Sequence, residues 1–295
     1  MIPAHKDIIL RAQTADGSIR AFAGDLRQTV NEAQRLHQTS PLASAALGRT
    51  LVAASIMGLM CKNEEDLISI NVKGDGPLGG ILATADSKGQ VKGYVVNPQI
   101  DLPLKENGKL DVSGALGHGH LSVIKDLGLK EPYAGQIPLI SGEIAEDIAY
   151  YFTQSEQTPS AVALGILVDI DYSIRQAGGF VLQMMPGADP KVAAQLEDKL
   201  SSFPPVTTLL DSGKTPEHIL QMLLGEFGLE ILDAYPVGYY CNCTRERVEK
   251  ALISIGRADL TKILEEDRQA ELHCHFCNQT YHFDENALKN LLHKI

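Results

Sequence analysis

Four of the chain's five cysteines crowd into its last fifth as Cys241-Asn242-Cys243 and Cys274-His275-Phe276-Cys277, with 30 residues between the two pairs. No other feature restricts the fold as strongly. Four thiolates complete a tetrahedral Zn²⁺ site, and the second pair has the spacing of a zinc knuckle. A site closed by four sulfurs keeps no open position for a substrate, so it is not a hydrolytic zinc. His273, His275 and His282 lie near enough in sequence to substitute, but four cysteines suffice without them. The pattern predicts one Zn²⁺ per chain held by Cys241, Cys243, Cys274 and Cys277 in a small C-terminal domain. In a reducing compartment such a cluster is metal-binding or redox-active rather than a disulfide framework.

The residues alone leave two roles open for that site. It is an inert staple, or it is a redox element. Two thiolates one residue apart both reach a metal and, once it is lost, sit close enough to oxidise together. Cys243 precedes a helix-start signal at Thr244 and stands beside Arg245 and Arg247. Positive charge there favours the thiolate, which is the form that oxidants attack. Cys61 stands alone at the end of an apolar stretch and reads as a small buried hydrophobe.

Charge narrows the partners. Lys+Arg number 26 against 37 Asp+Glu, a net charge of −11 and a pI near 5.3, which argues against coating nucleic acid or an anionic membrane. Residues 236–295 carry 8 basic and 9 acidic side chains, whereas a phosphate-reading zinc module is basic. No apolar run approaches the roughly 20 residues of a membrane span. Ile8-Ile9-Leu10 is too short for a signal-peptide core. The expected location is the cytosol of a bacterium.

Residues 1–185 read as an α+β core, a mixed α/β domain with a twisted sheet. Ile8–Ala12 and Ile19–Ala23 form a hairpin about Asp16-Gly17, and a helix covers Leu26–Leu36. The stretch after Pro41 is apolar all round, the mark of a buried helix. Leu67–Lys73, Gly79–Thr84 and Gln90–Val96 read as strands of a meander. Ser141-Gly142-Glu143 starts a helix with Ile144, Ile148 and Tyr151 on one face, and Ala163–Ile170 and Phe180–Met184 are strands split by Gly178-Gly179. Residues 186–236 are broken by prolines and glycines into short helices, including Lys191–Leu200 and one opened by Thr215-Pro216. They are too apolar for a comfortable exposed linker. From 237 to 295, Thr244 caps a helix with Val248, Ala251, Leu252 and Ile255 on its apolar face. Asp259 caps a shorter helix, 271–283 form a strand-knuckle-strand, and Asp284 caps a final helix with Leu288, Leu291 and Leu292 inward.

Two motifs mislead. Gly74-Asp75-Gly76-Pro77-Leu78-Gly79 matches a dinucleotide fingerprint, but the stretch to the Asp86–Gly89 turn is too short for the helix that chemistry needs. His118 and His120 lack a third ligand nearby.

The stretches NGKLDV (107–112), SGEIAEDIAYYFTQSEQTPSAVALGILV (141–168), GGFVLQMMPGA (178–188), CNCTRERVEKAL (241–252) and ELHCHFCNQTYHF (271–283) resemble the redox-regulated heat-shock protein of 33 kDa, a family of bacterial cytosolic holdase chaperones. The resemblance implies a core domain, a metastable apolar linker docked on it, and a zinc-binding redox-switch domain. It implies that the reduced, zinc-bound state is inactive. Hypochlorite, or peroxide with mild unfolding, then forms Cys241–Cys243 and Cys274–Cys277 disulfides with release of zinc. The linker unfolds, the protein becomes a homodimer, and it captures unfolded clients without ATP. On this reading the chain is not an enzyme and binds neither nucleic acid nor membrane. Two other classes fit parts of the sequence: a thiol-disulfide oxidoreductase working through Cys274 and Cys277, and a zinc-stapled regulator that binds nucleic acid.

Overall fold

Residues 8–25 fold back on themselves because Asp16-Gly17 supplies the turn. The Asp16 carboxylate accepts from Thr14 Oγ1 at 2.7 Å and from the Ser18 N–H at 3.0 Å, and Gly17 takes a φ of 70°. The strands so joined are β1 (Ile8–Thr14) and β2 (Ile19–Asp25). In the computed structural model, which describes residues 6–294, the chain divides into two compact units, one running to Tyr240 and the other from Cys241.

In the first unit, α1 (Arg27–His37) is followed by α2 (Pro41–Gly58). Ser40 caps α2 by accepting from the Ala43 N–H at 3.2 Å, and Pro41 occupies the first turn, where its missing N–H costs nothing. Then come β3 (Leu67–Gly74), β4 (Gly80–Asp86), β5 (Val91–Val95), α3 (Val112–Leu116), β6 (Gly119–Asp126) and β7 (Tyr133–Pro138). After α4 (Ala145–Ser155) come β8 (Ser160–Val168) and β9 (Ile174–Met184). The last elements are α5 (Pro190–Ser201), α6 (Val206–Asp211), α7 (Pro216–Leu224) and β10 (Leu229–Pro236).

Two antiparallel five-stranded sheets result, in the orders β10-β1-β2-β9-β8 and β5-β4-β3-β6-β7. Helix α2 packs against strands of both, which explains why it is apolar on every side. By length and composition it could cross a membrane, but 89% of its apolar window is buried in this core. The other face of the first sheet presents Leu10, Ala12, Ile19, Ala21, Phe180 and Leu182. Helices α5 to α7 cover that face with Leu196, Leu209, Leu210, Leu220, Leu223 and Leu224. Short helices are marginal alone, and this sheet is the surface that holds these.

The α+β reading stands, with local corrections. Gly178 and Gly179 do not interrupt a strand; they lie inside β9. A Cβ on Gly178 would meet the Gly24 carbonyl oxygen at 2.3 Å, and one on Gly179 would meet that of Ala163 at 2.4 Å, so glycine is what lets the neighbouring strands close in. The preceding strand stops at Val168, and Ile170 is 96% exposed in the turn beyond. Leu229–Pro236, expected among short helices, is an edge strand paired with β1. The glycines of the dinucleotide-like motif have a packing reason. A Cβ on Gly74 or Gly76 would collide with the backbone carbonyls of Leu116 or Ala115, and strand β4 follows. Near it, the His118 N–H donates to the Asp75 carboxylate at 2.7 Å.

The second unit contains α8 (Arg245–Ser254), α9 (Arg257–Glu266), β11 (Ala270–His273), β12 (Thr280–Phe283) and α10 (Glu285–His293). Thr244 and Asp284 cap as expected, accepting from the Arg247 N–H at 3.3 Å and the Ala287 N–H at 2.8 Å. Gly256, not Asp259, holds the cap position of α9; Asp259 lies in its first turn. Leu252, Leu260, Tyr281, Phe283, Leu288 and Leu291 form the buried core. Ile255 is 42% exposed.

Candidate metal centre

The four cysteines reach one point from two backbone devices. Cys241 and Cys243 lie on the extended chain that leads into α8. Cys274 and Cys277 lie on a knuckle between β11 and β12. The knuckle is closed by the Cys274 N–H donating to the Gln279 carbonyl at 3.0 Å and the Asn278 N–H donating to the Cys274 carbonyl at 2.8 Å. Asn278 takes the left-handed φ of 55° that so tight a return needs, a conformation its short polar side chain tolerates.

The four Sγ atoms all lie within 4.8 Å of one another. Cys241 Sγ stands 3.7 Å from Cys274 Sγ, and Cys243 Sγ stands 3.2 Å from Cys277 Sγ. A tetrahedron with metal–sulfur bonds of about 2.3 Å has edges of about 3.8 Å, so the quartet is already the size of a four-sulfur metal site. All four side chains are half-buried. A soft all-thiolate donor set fits zinc chemically.

The environment differs from one thiol to the next. Burial pushes the Cys241 and Cys277 thiols up. Burial pushes the same way at Cys243, but hydrogen bonds outweigh it and leave this thiol below its usual range, the first of them from the Tyr281 hydroxyl at 3.2 Å. The Tyr281 phenol is in turn pushed up to about 12, chiefly by that hydrogen bond. Tyr281 is the site residue that the sequence reading missed. Its signal is the alternation in β12, where Tyr281 and Phe283 point into the small core.

The nearby arginines are engaged with the backbone and a ring. Arg245 lays its guanidinium 4.3 Å from the Phe283 ring centroid and donates to the His282 carbonyl at 3.0 Å. Arg247 donates to the Asn242 carbonyl at 3.3 Å. They brace the loop around the thiols. His273 bonds Glu271 and Thr280, at 2.8 and 2.9 Å, and His282 bonds Glu271 at 3.0 Å.

The relatives give this quartet its context. The family model described as Hsp33 protein matches residues 7–284. The chain belongs to the Hsp33 family. The 33 kDa chaperonin of Clostridioides difficile is 51% identical over 291 residues, covering 98% of this chain and all of that protein. That of Acetivibrio thermocellus is 50% identical over 287 residues, 97% of each chain. The crystal structure of the 33 kDa chaperonin from Thermotoga maritima superposes with a TM-score of 0.90 at 35% identity, covering 98% of this chain and 99% of that one. Membership of the Hsp33 family makes this a chaperone of bacterial type that carries a thiol cluster fit for a metal.

Proposed function

We propose that the chain is an ATP-independent holdase chaperone of the bacterial cytosol, switched by the oxidation state of Cys241, Cys243, Cys274 and Cys277. The observation that carries this reading is the convergence of four thiols within 4.8 Å in a unit whose own apolar core is six side chains. Bound Zn²⁺ supplies a cross-link that stabilises small modules of this kind by about 10–16 kcal/mol. A unit of about 55 residues with so small a core depends on such a staple.

Oxidation to Cys241–Cys243 and Cys274–Cys277 disulfides transfers two electrons per bond to hypochlorite or peroxide and leaves no thiolate to hold a metal. Residues 237–295 then lose their fold. The segment 186–236 is the next to loosen, as a linker over the 1–185 core. Residues 237–240, which follow it, are held to the rest of the first unit by hydrogen bonds. The Val237 N–H donates to the Asp7 carbonyl at 3.2 Å, the Tyr240 N–H to the Val91 carbonyl at 2.9 Å, and the Tyr239 hydroxyl to the Gly93 carbonyl at 2.9 Å. Release of α5 to α7 bares the leucines they bury and the sheet face beneath. An apolar surface of that size binds unfolding clients or a second copy of the chain. The net charge of −11 keeps the opened protein in solution. The function is non-enzymatic and calls for neither nucleic acid nor membrane.

The test is light scattering of a chemically unfolded client diluted into buffer with the reduced, zinc-loaded protein or with protein oxidised by peroxide at elevated temperature. Suppression by the oxidised sample alone, with one zinc released per chain, supports the switch. Equal suppression by both samples, or by neither, reduces the thiol quartet to a staple.

A further inference from the structure

Sheet faces turned toward a core are ordinarily apolar, and on β1 and β2 that rule is broken at one end. Ile9 and Phe22 point toward α2 and lie in its cluster. Arg11 and Gln13 follow Ile9 at alternate positions, and Arg20 precedes Phe22, so they share that face. They open into a cleft of 690 Å³, within the range of small-molecule sites. Leu59 and Met60, just beyond α2, and Leu232, on β10, form its apolar wall.

The cations of this cleft are under-compensated. Arg11 Nη2 pairs with Asp233 at 2.8 Å, but its Nε is buried without a hydrogen-bond partner among the described residues. Arg20 donates from Nε and Nη2 to the neutral Gln183 Oε1, at 3.2 and 2.5 Å, and its guanidinium lies 5.9 Å from the Phe22 ring centroid. No carboxylate pairs with Arg20 among the described residues. Burial lowers its pKa against an opposing pull from Glu156, with Arg11 adding to the lowering, so the charge is held at a cost. At the rim Lys88 has Glu64 at 3.5 Å, and Lys62 adds a further positive charge.

We propose that this cleft binds an amphipathic monocarboxylate of the fatty-acid type. Its headgroup pairs with the Arg20 guanidinium beside Arg11, and its alkyl tail lies along Leu59, Met60 and Leu232. Of the two guanidiniums on the sheet face only Arg20 lacks a carboxylate, so the headgroup it takes is a single carboxylate, with Lys62 a further positive charge at the rim. A planar guanidinium matches a carboxylate through parallel N–H donors, which gives the headgroup a fixed orientation. The tail supplies the apolar contact that acetate lacks.

The probe is decanoate, below its aggregation concentration, titrated calorimetrically into the reduced full-length protein. The expected result is saturable binding at one per chain, with acetate and decyltrimethylammonium at least tenfold weaker. Arg20→Met weakens decanoate about tenfold or more, the loss of one charge-assisted pair, while Arg20→Lys keeps part of the affinity. Met60→Trp, which fills the cleft from its wall and spares both arginines, blocks binding too and decides the matter if Arg20→Met fails to fold. Comparable affinity for decanoate and decyltrimethylammonium means adsorption to apolar surface only and overturns the proposal. So does decanoate binding that stays within twofold in folded Arg20→Met or Met60→Trp protein, or the absence of decanoate binding to the parent.

Discussion

The two units of the chain are stabilised in different ways. The one running to Tyr240 wraps two sheets about α2, whose Leu42, Leu47, Leu51 and Ile56 are at most 1% exposed. Its stability comes from apolar area and packing density, which no change of redox conditions removes. The one from Cys241 fully buries six apolar side chains, ringed by half-buried ones such as Val248 and Leu272, and adds a cluster of four thiols. Packing makes a fold durable; on the proposed reading, a thiol quartet makes it conditional. Within the first unit a second contrast runs between the two faces of one sheet. One face meets the long helix α2, and the other is covered by the short helices α5 to α7.

Removing the thiols is the change with the largest effect. Replacing Cys241, Cys243, Cys274 and Cys277 by Ser forfeits a metal cross-link of about 10–16 kcal/mol, more than a small domain's whole stability of about 5–15 kcal/mol. Hydrogen exchange should show residues 241–295 unprotected and the strands of the first unit still protected. Uniform loss of protection in both units would break the comparison. Next come two leucine truncations of equal chemistry, each costing about 2–5 kcal/mol. Leu51→Ala in α2 should lower the melting temperature of the first unit without making the reduced protein suppress client aggregation. Leu220→Ala in α7 should loosen the cover and make the reduced, metal-loaded protein suppress it. Identical behaviour of the two variants would mean that the covers on the two faces are not separable.

The local chemistry of these elements was legible in the sequence. Ser40-Pro41 and Thr215-Pro216 mark helix starts that any structure would honour, and the all-round apolarity of 41–58 announced a helix buried between layers. The four cysteines announced a converging thiol cluster of a size that fits a metal, because paired cysteines at those spacings are a ligand pattern. Strand β10 was hidden for a physical reason. Arg11 pairs with Asp233 and Ala12 with Ile231, which leaves Leu232 extra at a bulge and shifts the period-two alternation in mid-strand. Its partner β1 also lies more than 200 residues away, beyond the reach of any local signal. The glycine pair in β9 hid for a related reason. What Gly178 and Gly179 permit is the approach of Gly24 and Ala163, a property of the assembled sheet. Tyr281 was visible as an inward strand position but not as a partner of Cys243, because that contact joins β12 to a chain segment 38 residues earlier.

The smallest effect concerns how a packed unit handles a charge without a metal. Glu143, at the entry to α4, receives Arg49 Nη1 from α2 at 2.7 Å and is also bonded by Lys105. Burial alone pushes its carboxyl up, but the hydrogen bonds and charges of Lys105 and Arg49 outweigh it and hold the group below the usual carboxylate range. A carboxylate depressed in the folded state contributes stability that is fully present above its unfolded pKa and is lost as pH falls through the folded value. Glu143→Gln should therefore cost about 1–3 kcal/mol at neutral pH, the scale of a hydrogen bond to a charged group, and flatten the acid limb of the stability curve of the first unit. Denaturant melts of parent and variant from pH 7 to pH 3 measure both quantities. Curves that stay parallel through the acid range would show that Arg49 and Lys105 stabilise the entry to α4 through packing rather than through the charge of Glu143.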